Sequence, residues 1–522
     1  MLATIPSAAL VGLEVVRVRV EVAITRGTPM IQVVGLPESA VREGRERIRA
    51  AAGQVGLHVP GLRITVNLAP AALRKHGAAF DLPILVGILA AWGELPAQRC
   101  AGWLVAGELG LDGSLRPVCG ALPMALHARR SGDLDGIVLP LENLAEVRPV
   151  DARWEATEGR PLRVHGAADL EQVLAFLRGD ADLPRARDAE AAAGGSRGDG
   201  ESPGPDLAEV RGQRHARRVL EVAAAGGHSL LLRGEPGAGK TLLARCLPSL
   251  LPPLSLEEAV EVTAIHSVAG RLPRGAGLIE DRPFRAPHHT VSPAGLLGGG
   301  SSPRPGELSL AHRGVLFLDE LPEFSRPALE GLRQPLEDGR VRLVRARAAV
   351  SFPARVQLVA AMNPCPCGRM GSSDGACTCD PAAARRYARR VSGPLLDRID
   401  LQVDVPRVPW RDLSRDGAAE SSERVRARVT AARSRAARRT GGRSRSNAQL
   451  ADAELDDVCR LDLRGKEALG RRADMLRLSA RACRRVLRVA RTVADLDGAD
   501  RIAAEHVLEA VRYRSLDRVE EV

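Results

Sequence analysis

The octapeptide Gly-Glu-Pro-Gly-Ala-Gly-Lys-Thr at residues 234–241 constrains this chain more than any other feature. It matches the phosphate-binding loop pattern G-x-x-x-x-G-K-[ST] at every fixed position. The apolar residues 229–233 before it predict a buried strand, and residues 242–245 after it predict a helix. A strand, a glycine-rich turn and a helix N-terminus together direct backbone N–H groups at phosphates. The sequence therefore predicts a core that binds a nucleoside triphosphate.

Two side chains of this loop carry the expected chemistry. Lys240 is expected to reach the β- and γ-phosphates, and the Thr241 hydroxyl to coordinate Mg²⁺. Lys240 is one of only three lysines in the chain, and a compact ammonium suits a phosphate loop better than a flat guanidinium. The predicted cofactors are ATP and Mg²⁺. The residues expected to contact the nucleotide are Gly234, Glu235, Pro236, Gly237, Ala238, Gly239, Lys240 and Thr241.

Two further predicted strands end in polar side chains that suit hydrolysis. The apolar residues 315–318 end in Asp319 and Glu320. Asp319 can hold magnesium through water, and Glu320 can polarise the attacking water. Residues 356–362 predict a third strand that ends at Asn363, whose amide can orient that water. The alternative for Asn363 is a turn-forming role before a proline.

Two arginines farther along the chain are candidates for contact with the nucleotide. Arg398 ends a short helix predicted within residues 392–400, where it can reach the γ-phosphate of a neighbouring subunit. Arg481 opens a helix in the C-terminal region and can touch the nucleotide from there. Each arginine is otherwise a solvated surface residue.

Five stretches together resemble the ComM/YifB-type magnesium-chelatase-like AAA+ family. They are Gly-Glu-Pro-Gly-Ala-Gly-Lys-Thr (234–241), Arg-Ala-Pro-His-His-Thr (285–290), Leu-Phe-Leu-Asp-Glu-Leu-Pro-Glu-Phe (316–324), Asn-Pro-Cys-Pro-Cys-Gly (363–368) and Ser-Gly-Pro-Leu-Leu-Asp-Arg-Ile-Asp (392–400). The resemblance implies a homo-oligomeric ring, a hexamer, with ATP at the subunit interfaces. It makes Asn363 a sensor, Arg398 the finger that acts in trans and Arg481 the second sensor.

The composition along the chain predicts three folded regions and a linker. Residues 1–178 mix short strands with helices, whereas residues 179–206 are rich in Ala, Gly, Asp, Arg and Pro and predict a flexible linker. Residues 207–405 alternate strands and helices, as in a parallel sheet with crossovers, and residues 406–522 read as helical. The predicted fold class is α/β, an AAA+ phosphate-loop core with a C-terminal helical lid, preceded by an α+β domain.

The first domain resembles the Lon protease domain, which has a ribosomal-S5-domain-2-like α+β fold. Residues 66–70, 75–81, 107–109 and 113–118 carry the resemblance. In the protease a serine should fall near Ala79 and a lysine near Met124, and neither is present. A Ser–Lys mechanism then has no nucleophile and no base. The domain is interpreted as a binding or assembly module, and a protease that uses another residue is the alternative.

The net charge of +11 makes an acidic partner such as nucleic acid plausible, although a general preference for arginine would produce the same charge. Aromatic residues are only 2% of the chain, which favours contacts with backbone phosphates over base stacking. Residues 338–347 alternate basic and apolar side chains and predict a hairpin with its turn near Val344. Residues 295–305 form a second insert, and exposed connectors are the alternative for both. The predicted DNA contacts are Arg340, Arg342, Arg345 and Arg347.

Four cysteines form the pattern C-x-C-x9-C-x-C. They are Cys365, Cys367, Cys377 and Cys379. Four thiolates can make a tetrahedral structural zinc site, and unligated reduced thiols are the alternative. We expect no secretory signal, because the apolar residues 1–13 lack a charged n-region. The apolar residues 82–92 are too short to span a bilayer, so we expect a cytoplasmic location and no membrane partner.

Together these features predict an ATP-driven ring motor that acts on single-stranded or branched DNA without reading its sequence. By resemblance the activity is that of a helicase or branch-migration enzyme in recombination of incoming DNA, as in natural transformation. The alternative is a metal-insertion ATPase like the magnesium chelatase subunit. The Lon-like domain and the cysteines favour the motor. A non-enzymatic DNA-binding scaffold is disfavoured by the complete set of hydrolysis residues.

Overall fold

The computed structural model of the 522-residue chain describes residues 1–152, 162–188, 204–300, 303–345, 348–371, 377–409, 420–441 and 446–514. The first domain combines two main sheets with helices. Its strands are β1 (Leu2–Val11), β2 (Glu14–Thr25), β3 (Met30–Val34), β4 (Arg63–Ala69), β5 (Trp103–Val105), β6 (Glu108–Leu109), β7 (Leu115–Arg116), β8 (Gly136–Pro140) and β9 (Arg163–Ala167). Its helices are α1 (Ser39–Gln54), α2 (Asp81–Trp92), α3 (Ala97–Ala101), α4 (Ala121–Ser131), α5 (Leu144–Ala152) and α6 (Leu170–Arg178).

The two main sheets of this domain follow from its apolar patterning. One has the strand order β1-β2-β4-β3, and the other has β8 between β5 and β9. In β2, alternate residues such as Val18, Val20 and Val22 are fully buried, which is the period expected of a strand with one face in a core. Helix α2 is buried along almost its whole length, so its apolar run is explained by the core of this domain. Among the described helices, none is long and apolar enough to cross a membrane.

The first domain extends beyond the boundary predicted at residue 178. Leu183 is 6% exposed and Ala186 is fully buried. The carbonyl of Leu183 lies 2.9 Å from Nδ1 of His165, and Arg185 forms an isolated bridge to the same strand. Residues 179–188 therefore pack on this domain, because Leu183 and Ala186 supply apolar contacts that composition alone did not reveal. The rest of the predicted linker includes residues 189–203, which lie outside the described part of the chain.

The central domain is built on a parallel sheet with the strand order β11-β14-β17-β10-β18. Its strands are β10 (Leu230–Arg233), β11 (Phe284–Arg285), β12 (Gly298–Gly299), β13 (Arg304–Pro305), β14 (Val315–Leu318), β15 (Arg340–Arg345), β16 (Ala348–Pro353), β17 (Gln357–Met362) and β18 (Leu401–Asp404). Its helices are α7 (Arg214–Gly226), α8 (Lys240–Leu250), α9 (Leu256–Ala269), α10 (Pro293–Leu297), α11 (Glu307–Leu310), α12 (Arg326–Gly331), α13 (Arg333–Asp338), α14 (Pro381–Ala388) and α15 (Gly393–Leu396).

The C-terminal region is helical and packs against the central sheet domain. Its helices are α16 (Ser422–Arg439), α17 (Leu455–Val458), α18 (Leu463–Met475), α19 (Ala480–Leu496) and α20 (Ala504–Arg512). Val425 and Val429 of α16 share one apolar cluster with Leu243 and Leu247 of α8. The predicted α/β core with a parallel sheet and a helical C-terminal region is confirmed. The likeness of the first domain to the Lon protease stays a prediction.

Candidate nucleotide-binding and hydrolysis site

The predicted phosphate loop connects β10 to the N-terminus of α8. Gly237 and Gly239 have φ angles of 76° and 87°, which a residue with a Cβ rarely adopts. These two turns fold the loop around the first residue of the helix, Lys240. Its Nζ donates to the carbonyl oxygens of Gly234 at 2.7 Å and Glu235 at 2.9 Å. Burial lowers the pKa of Lys240, and the charges of nearby carboxylates oppose that shift. The ammonium is therefore held at the mouth of the loop, where a phosphate would accept its hydrogen bonds.

The two predicted carboxylates lie directly beside this loop, at the carboxyl end of β14. The Thr241 hydroxyl donates to Oδ2 of Asp319 at 2.9 Å, and the backbone N–H of Glu320 donates to Oδ1 of Asp319 at 2.9 Å. A hydroxyl and a carboxylate are the oxygen ligands that Mg²⁺ prefers, so these residues fit the predicted metal. Glu320 has a φ of 52°, a left-handed conformation uncommon for a residue with a side chain. This conformation turns the chain sharply at the point where both carboxylates emerge.

Asn363 completes the group at the end of the neighbouring strand β17. Its Oδ1 accepts a hydrogen bond from Lys240 Nζ at 3.1 Å. Because β17 lies between β14 and β10 in the sheet, its carboxyl end faces both the loop and the carboxylates. The structure therefore brings together Lys240, Thr241, Asp319, Glu320 and Asn363. The role of Asn363 as a sensor stays a prediction.

Gln213 is a residue that the sequence analysis did not select. It precedes α7 in a left-handed conformation with a φ of 44°. Its Nε2 donates to the carbonyl of Ala238 in the phosphate loop at 2.6 Å and to the carbonyl of Pro406 at 3.2 Å. The Gln213 side chain thus connects the phosphate loop with the start of α7 and with Pro406, which follows β18. No periodicity signals this contact, because it joins residues far apart in the sequence.

His289 is a second such residue. It follows β11, the strand that pairs with β14, and its Nδ1 lies 3.3 Å from Oε2 of Glu320. Its ring lies against His288, with the ring centroids 4.1 Å apart. The Glu320 side chain is 53% exposed, and the His289 ring lies on one side of it. The stretch 285–290 carried the family resemblance without an assigned role, and its position beside β14 brings His289 to Glu320.

Arg398 and Arg481 lie together, away from their own phosphate loop. Arg398 Nη2 lies 2.6 Å from Oε1 of Glu337 in α13, and Arg481 Nη2 lies 3.3 Å from the same oxygen. Arg398 also donates from Nε to the carbonyl of Arg333 at 3.0 Å. No hydrogen bond or ion pair joins either arginine to the loop within the described ranges. The structure therefore separates these two arginines from the five residues gathered around Lys240.

The four cysteines form one cluster next to the phosphate loop. Their sulfur atoms all lie within 4.8 Å of one another, at 3.4 Å for Cys365–Cys367, 3.8 Å for Cys365–Cys377 and 3.7 Å for Cys367–Cys377. A tetrahedral site with Zn–S bonds of about 2.3 Å would separate its sulfurs by about 3.8 Å. Cys379 is the fourth member of the cluster. The geometry therefore fits a four-thiolate metal site.

One of these thiols is already biased toward the thiolate form. Hydrogen bonds from the backbone of Arg369 and Thr378 lower the pKa of Cys367 to about 6. The cluster also touches the nucleotide loop, since a Cβ at Gly368 would lie 2.5 Å from Cδ of Pro236. The cysteine loop is thus packed against the phosphate loop itself.

The two strands of the predicted basic hairpin are present, and their pairing extends past the predicted turn. Strands β15 and β16 are antiparallel, and their last pair is Arg345 with Ala348. The turn is therefore not near Val344, because Val344 still pairs with Ala349 in the ladder. Consequently Arg340, Arg342 and Arg345 all lie on β15. Arg347 and the side chain of Arg345 lie outside the described part of the chain.

The two faces of this hairpin differ in exposure. Val341 is 3% exposed and Val350 is 5% exposed, and Phe352 is fully buried. Arg340 and Arg342 project from the opposite, exposed face of β15. The hairpin therefore buries an apolar face and presents two guanidinium groups to solvent.

The first domain contains a cavity of about 810 Å³ at the positions where a protease dyad was sought. Ala79 and Met124 both line it, with Glu108 and Cys119 among its polar residues. The cavity also reaches the central domain at Val350 of the hairpin. The two positions expected to carry serine and lysine thus share one cleft, and neither offers a nucleophile or a base.

Family models match three successive parts of the chain. Residues 206–413 match the model described as magnesium chelatase, subunit ChlI. Residues 20–143 match subunit ChlI of Mg-chelatase, and residues 419–514 match the C-terminal region of magnesium chelatase subunit ChlI. These matches support an ATPase that uses ATP and Mg²⁺.

Three relatives show which branch of this family the chain resembles. The protein named YifB of Salmonella typhimurium is 43% identical over 99% of this chain and 98% of its own length. Competence protein ComM of Haemophilus influenzae is 41% identical over 99% of this chain and 98% of its own length. The magnesium-chelatase 67 kDa subunit of Heliobacterium mobile is 26% identical over 38% of this chain and 33% of its own length. The resemblance found in the motifs is confirmed, and the chain belongs to the ComM/YifB-type magnesium-chelatase-like family of AAA+ proteins.

Proposed function

We propose that this protein is an ATP-driven ring motor that acts on DNA, with helicase or branch-migration activity in recombination of incoming DNA. The observation that carries the ATPase part is that Asp319, Glu320 and Asn363, at the ends of two adjacent strands, lie beside Lys240 and Thr241 at the end of the phosphate loop. The DNA part rests on the exposed basic face of the hairpin and on the relationship to a competence protein. The charge of +11 agrees with a polyanionic partner.

Each residue around the phosphate loop has its own part in the proposed hydrolysis. Bound Mg²⁺–ATP supplies the phosphoanhydride and the charge that polarises it. Lys240, which now donates to backbone carbonyls, would bind phosphate oxygens of the nucleotide, and Thr241 with Asp319 would hold the metal. Glu320 accepts a proton from the attacking water, and Asn363 orients that water. His289, 3.3 Å from Glu320, would help to orient its carboxylate.

The place of the two arginines supports a ring of subunits. Arg398 and Arg481 share Glu337 and do not approach their own loop, so each is available to a nucleotide on an adjacent copy. A closed, hexameric ring would supply every site with both arginines. Mixing Arg398→Ala subunits with Lys240→Ala subunits should restore activity at those interfaces that combine an intact loop with an intact arginine. No recovery at any ratio would argue against the trans role.

The hairpin would grip DNA by its phosphates. Arg340 and Arg342 are exposed and lie two residues apart on one strand, so both can reach one backbone. Phosphate contacts position a protein without reading sequence, which suits a motor on single-stranded or branched DNA. The opposite face of the hairpin packs on the first domain, since a Cβ at Gly12 would lie 2.2 Å from Cγ1 of Val350. The first domain thereby braces the hairpin.

The decisive experiment measures the ATPase rate with no DNA and with single-stranded, duplex and branched DNA. The proposal predicts stimulation by DNA that is lost in Arg340→Ala/Arg342→Ala, while the basal rate persists. The matched control is Arg464→Ala/Arg471→Ala, which removes two exposed charges from α18. Loss of stimulation in the control alone, or no stimulation by any DNA, contradicts the motor.

A metal-insertion ATPase is the second candidate. The observation that favours it is the match of three family models to magnesium chelatase subunit ChlI. This candidate predicts no response to DNA and an ATPase rate that responds to a protein partner carrying a tetrapyrrole. The same assay with such a partner distinguishes the two functions.

A further inference from the structure

A second cavity, of about 120 Å³, lies between the central domain and the C-terminal helices. It is lined by Gly314 and Gln357, which stand at the amino ends of β14 and β17, and by residues of α16. In a parallel sheet the amino and carboxyl ends of the strands form opposite edges. The cavity is therefore at least about 13 Å from the phosphate loop, given strands of four residues at about 3.3 Å per residue.

Arginine dominates the wall of this cavity. Its described charged residues are Arg282, Arg313, Arg355, Arg433 and Glu258. The single carboxylate is already shared, because Glu258 Oε2 lies 3.1 Å from Arg282 Nη2 and Glu258 Oε1 lies 3.4 Å from Arg313 Nη1. Arg313 has a second acidic partner outside the cavity lining, since its Nη2 lies 2.9 Å from Oε2 of Glu261. Even with that carboxylate counted, four guanidinium groups face two carboxylates.

Arg433 and Arg355 carry the excess charge. Arg433 donates from Nε and Nη2 to the carbonyl of Ala224, at 2.9 and 2.7 Å, and has no carboxylate partner in the described chain. Arg355 likewise forms no ion pair with described residues. Burial, and then the charge of Arg282, lower the pKa of Arg433 to about 9, and the charge of Glu258 opposes this shift. Arg433 is half-buried and Arg355 is exposed, and an anion in the cavity would offset the charge of both.

We propose that this cavity is an anion site for a phosphate-type oxyanion, bound by Arg433 and Arg355. A volume of about 120 Å³ greatly exceeds the ~10–15 Å³ that one water needs, so a tetrahedral oxyanion fits. The anion could be free phosphate or a phosphate of a polynucleotide, which share the same contacts. Since Arg433 belongs to α16 and Arg355 precedes β17, a bound anion ties the C-terminal helices to the sheet. The site does not depend on the proposed motor function.

The test uses inorganic phosphate as the probe and the full-length Lys240→Ala protein as the background, because the nucleotide loop would otherwise bind phosphate as well. Thermal unfolding is followed against phosphate concentration, with chloride added to keep ionic strength constant. We expect phosphate to raise the melting temperature. We expect Arg433→Gln to raise the apparent dissociation constant for phosphate at least about tenfold. Arg355→Gln provides a second variant if Arg433→Gln does not fold. Arg471→Gln on exposed α18 is the matched control and should leave the dissociation constant unchanged.

Two outcomes identify the source of the anion, and one overturns the site. If Arg433→Gln also reduces the salt dependence of binding to a labelled single-stranded oligonucleotide by about one unit, the ligand is a backbone phosphate. If oligonucleotide binding is unchanged while phosphate binding falls, the ligand is the free ion. Equal phosphate affinity in the background protein, Arg433→Gln and Arg355→Gln overturns the proposal.

Discussion

Two buried lysines, one in the first domain and one in the central domain, make nearly the same local contacts. Lys75 is fully buried and donates to the carbonyls of Gly35, at 2.9 Å, and Pro70. Lys240 is 9% exposed and donates to the carbonyls of Gly234 and Glu235. Burial lowers the pKa of both. A buried lysine held by loop carbonyls is therefore not enough to mark a reactive site.

The surroundings of the two lysines differ in the groups that chemistry needs. Lys240 also reaches Asn363, and the charges of Asp319 and Glu320 act on its ammonium. The pKa of Lys75 responds only to burial, with no resolved effect of a carboxylate. The cleft nearby presents Ala79 and Met124. The difference is that Lys240 stands among polar side chains at the carboxyl edge of the parallel sheet, while Lys75 closes a loop.

The largest effect should come from Lys240→Ala. Removing a buried cation from a charge-assisted contact costs about 2–5 kcal/mol, so nucleotide affinity should fall by roughly 30-fold or more. Lys75→Ala is the control and should keep its ATPase rate. It should instead melt a few degrees lower, because two buried carbonyls lose a donor worth about 1–3 kcal/mol. Nucleotide binding by calorimetry and thermal unfolding separate these results. An equal loss of nucleotide affinity in both variants would show that the two lysines do not differ in function.

Glu320→Gln should keep nucleotide binding and lose turnover. The amide cannot accept a proton from water, and a positioned general base contributes about 10²–10⁴-fold. The matched control is Glu108→Gln, which changes a carboxylate that lines the first-domain cleft. Its single-turnover rate should equal that of the unmodified protein. A Glu320→Gln enzyme with a normal rate would remove Glu320 from the proposed mechanism.

The central site was predictable because its parts are local in sequence and adjacent in the sheet. Residues 234–241 specify a strand, a turn and a helix start, and the carboxyl ends of parallel strands meet at one edge. The contacts of Gln213 with Ala238 and of His289 with Glu320 were not predictable, since they join separate segments. The shared partner of Arg398 and Arg481 was missed for the same reason.

The errors have a second physical origin. The hairpin turn was placed at Val344 because basic residues were counted on both sides of it, whereas strand pairing continues to Arg345. The linker was extended over residues 179–188 because their composition is polar and small. Two apolar side chains, at Leu183 and Ala186, were enough to pack that segment. Composition reports average polarity, and packing depends on individual side chains.

The cysteines offer a third contrast between the two domains. Four thiols of the central domain lie within 4.8 Å of one another, whereas Cys119 lines the first-domain cleft and belongs to no such group among the described residues. We expect one zinc per chain by elemental analysis, lost in Cys365→Ser/Cys377→Ser and retained in Cys119→Ser. The double variant should also melt several degrees lower, since metal binding contributes to folding. Metal content that is low and equal in all three proteins would identify free thiols.

The smallest effect concerns two carboxylates, Glu146 of the first domain and Glu320 of the central domain. Glu320 is open to solvent, but Glu146 is 3% exposed in α5, beside Ser267 of α9. Burial raises the pKa of Glu146 to about 7, from an ordinary value of 4.5, against the opposing hydrogen bonds of Ser267 and Asn143. The folded protein then binds more protons than the unfolded chain between these two values. Stability must therefore fall as pH rises through this window.

Glu146→Gln removes this titration and keeps an oxygen that can accept the hydrogen bond from Asn143 Nδ2, which is 2.7 Å long in the native protein. At pH 4 the variant and the native protein should melt at similar temperatures. By pH 8 the variant should be more stable by at most about 3 kcal/mol, because each unit of pKa corresponds to about 1.4 kcal/mol. Melting temperatures measured from pH 4 to pH 8 should diverge by a few degrees above pH 5. Parallel curves would show that the Glu146 carboxyl ionises as freely as an exposed one, and the contrast between the two carboxylates would then be lost.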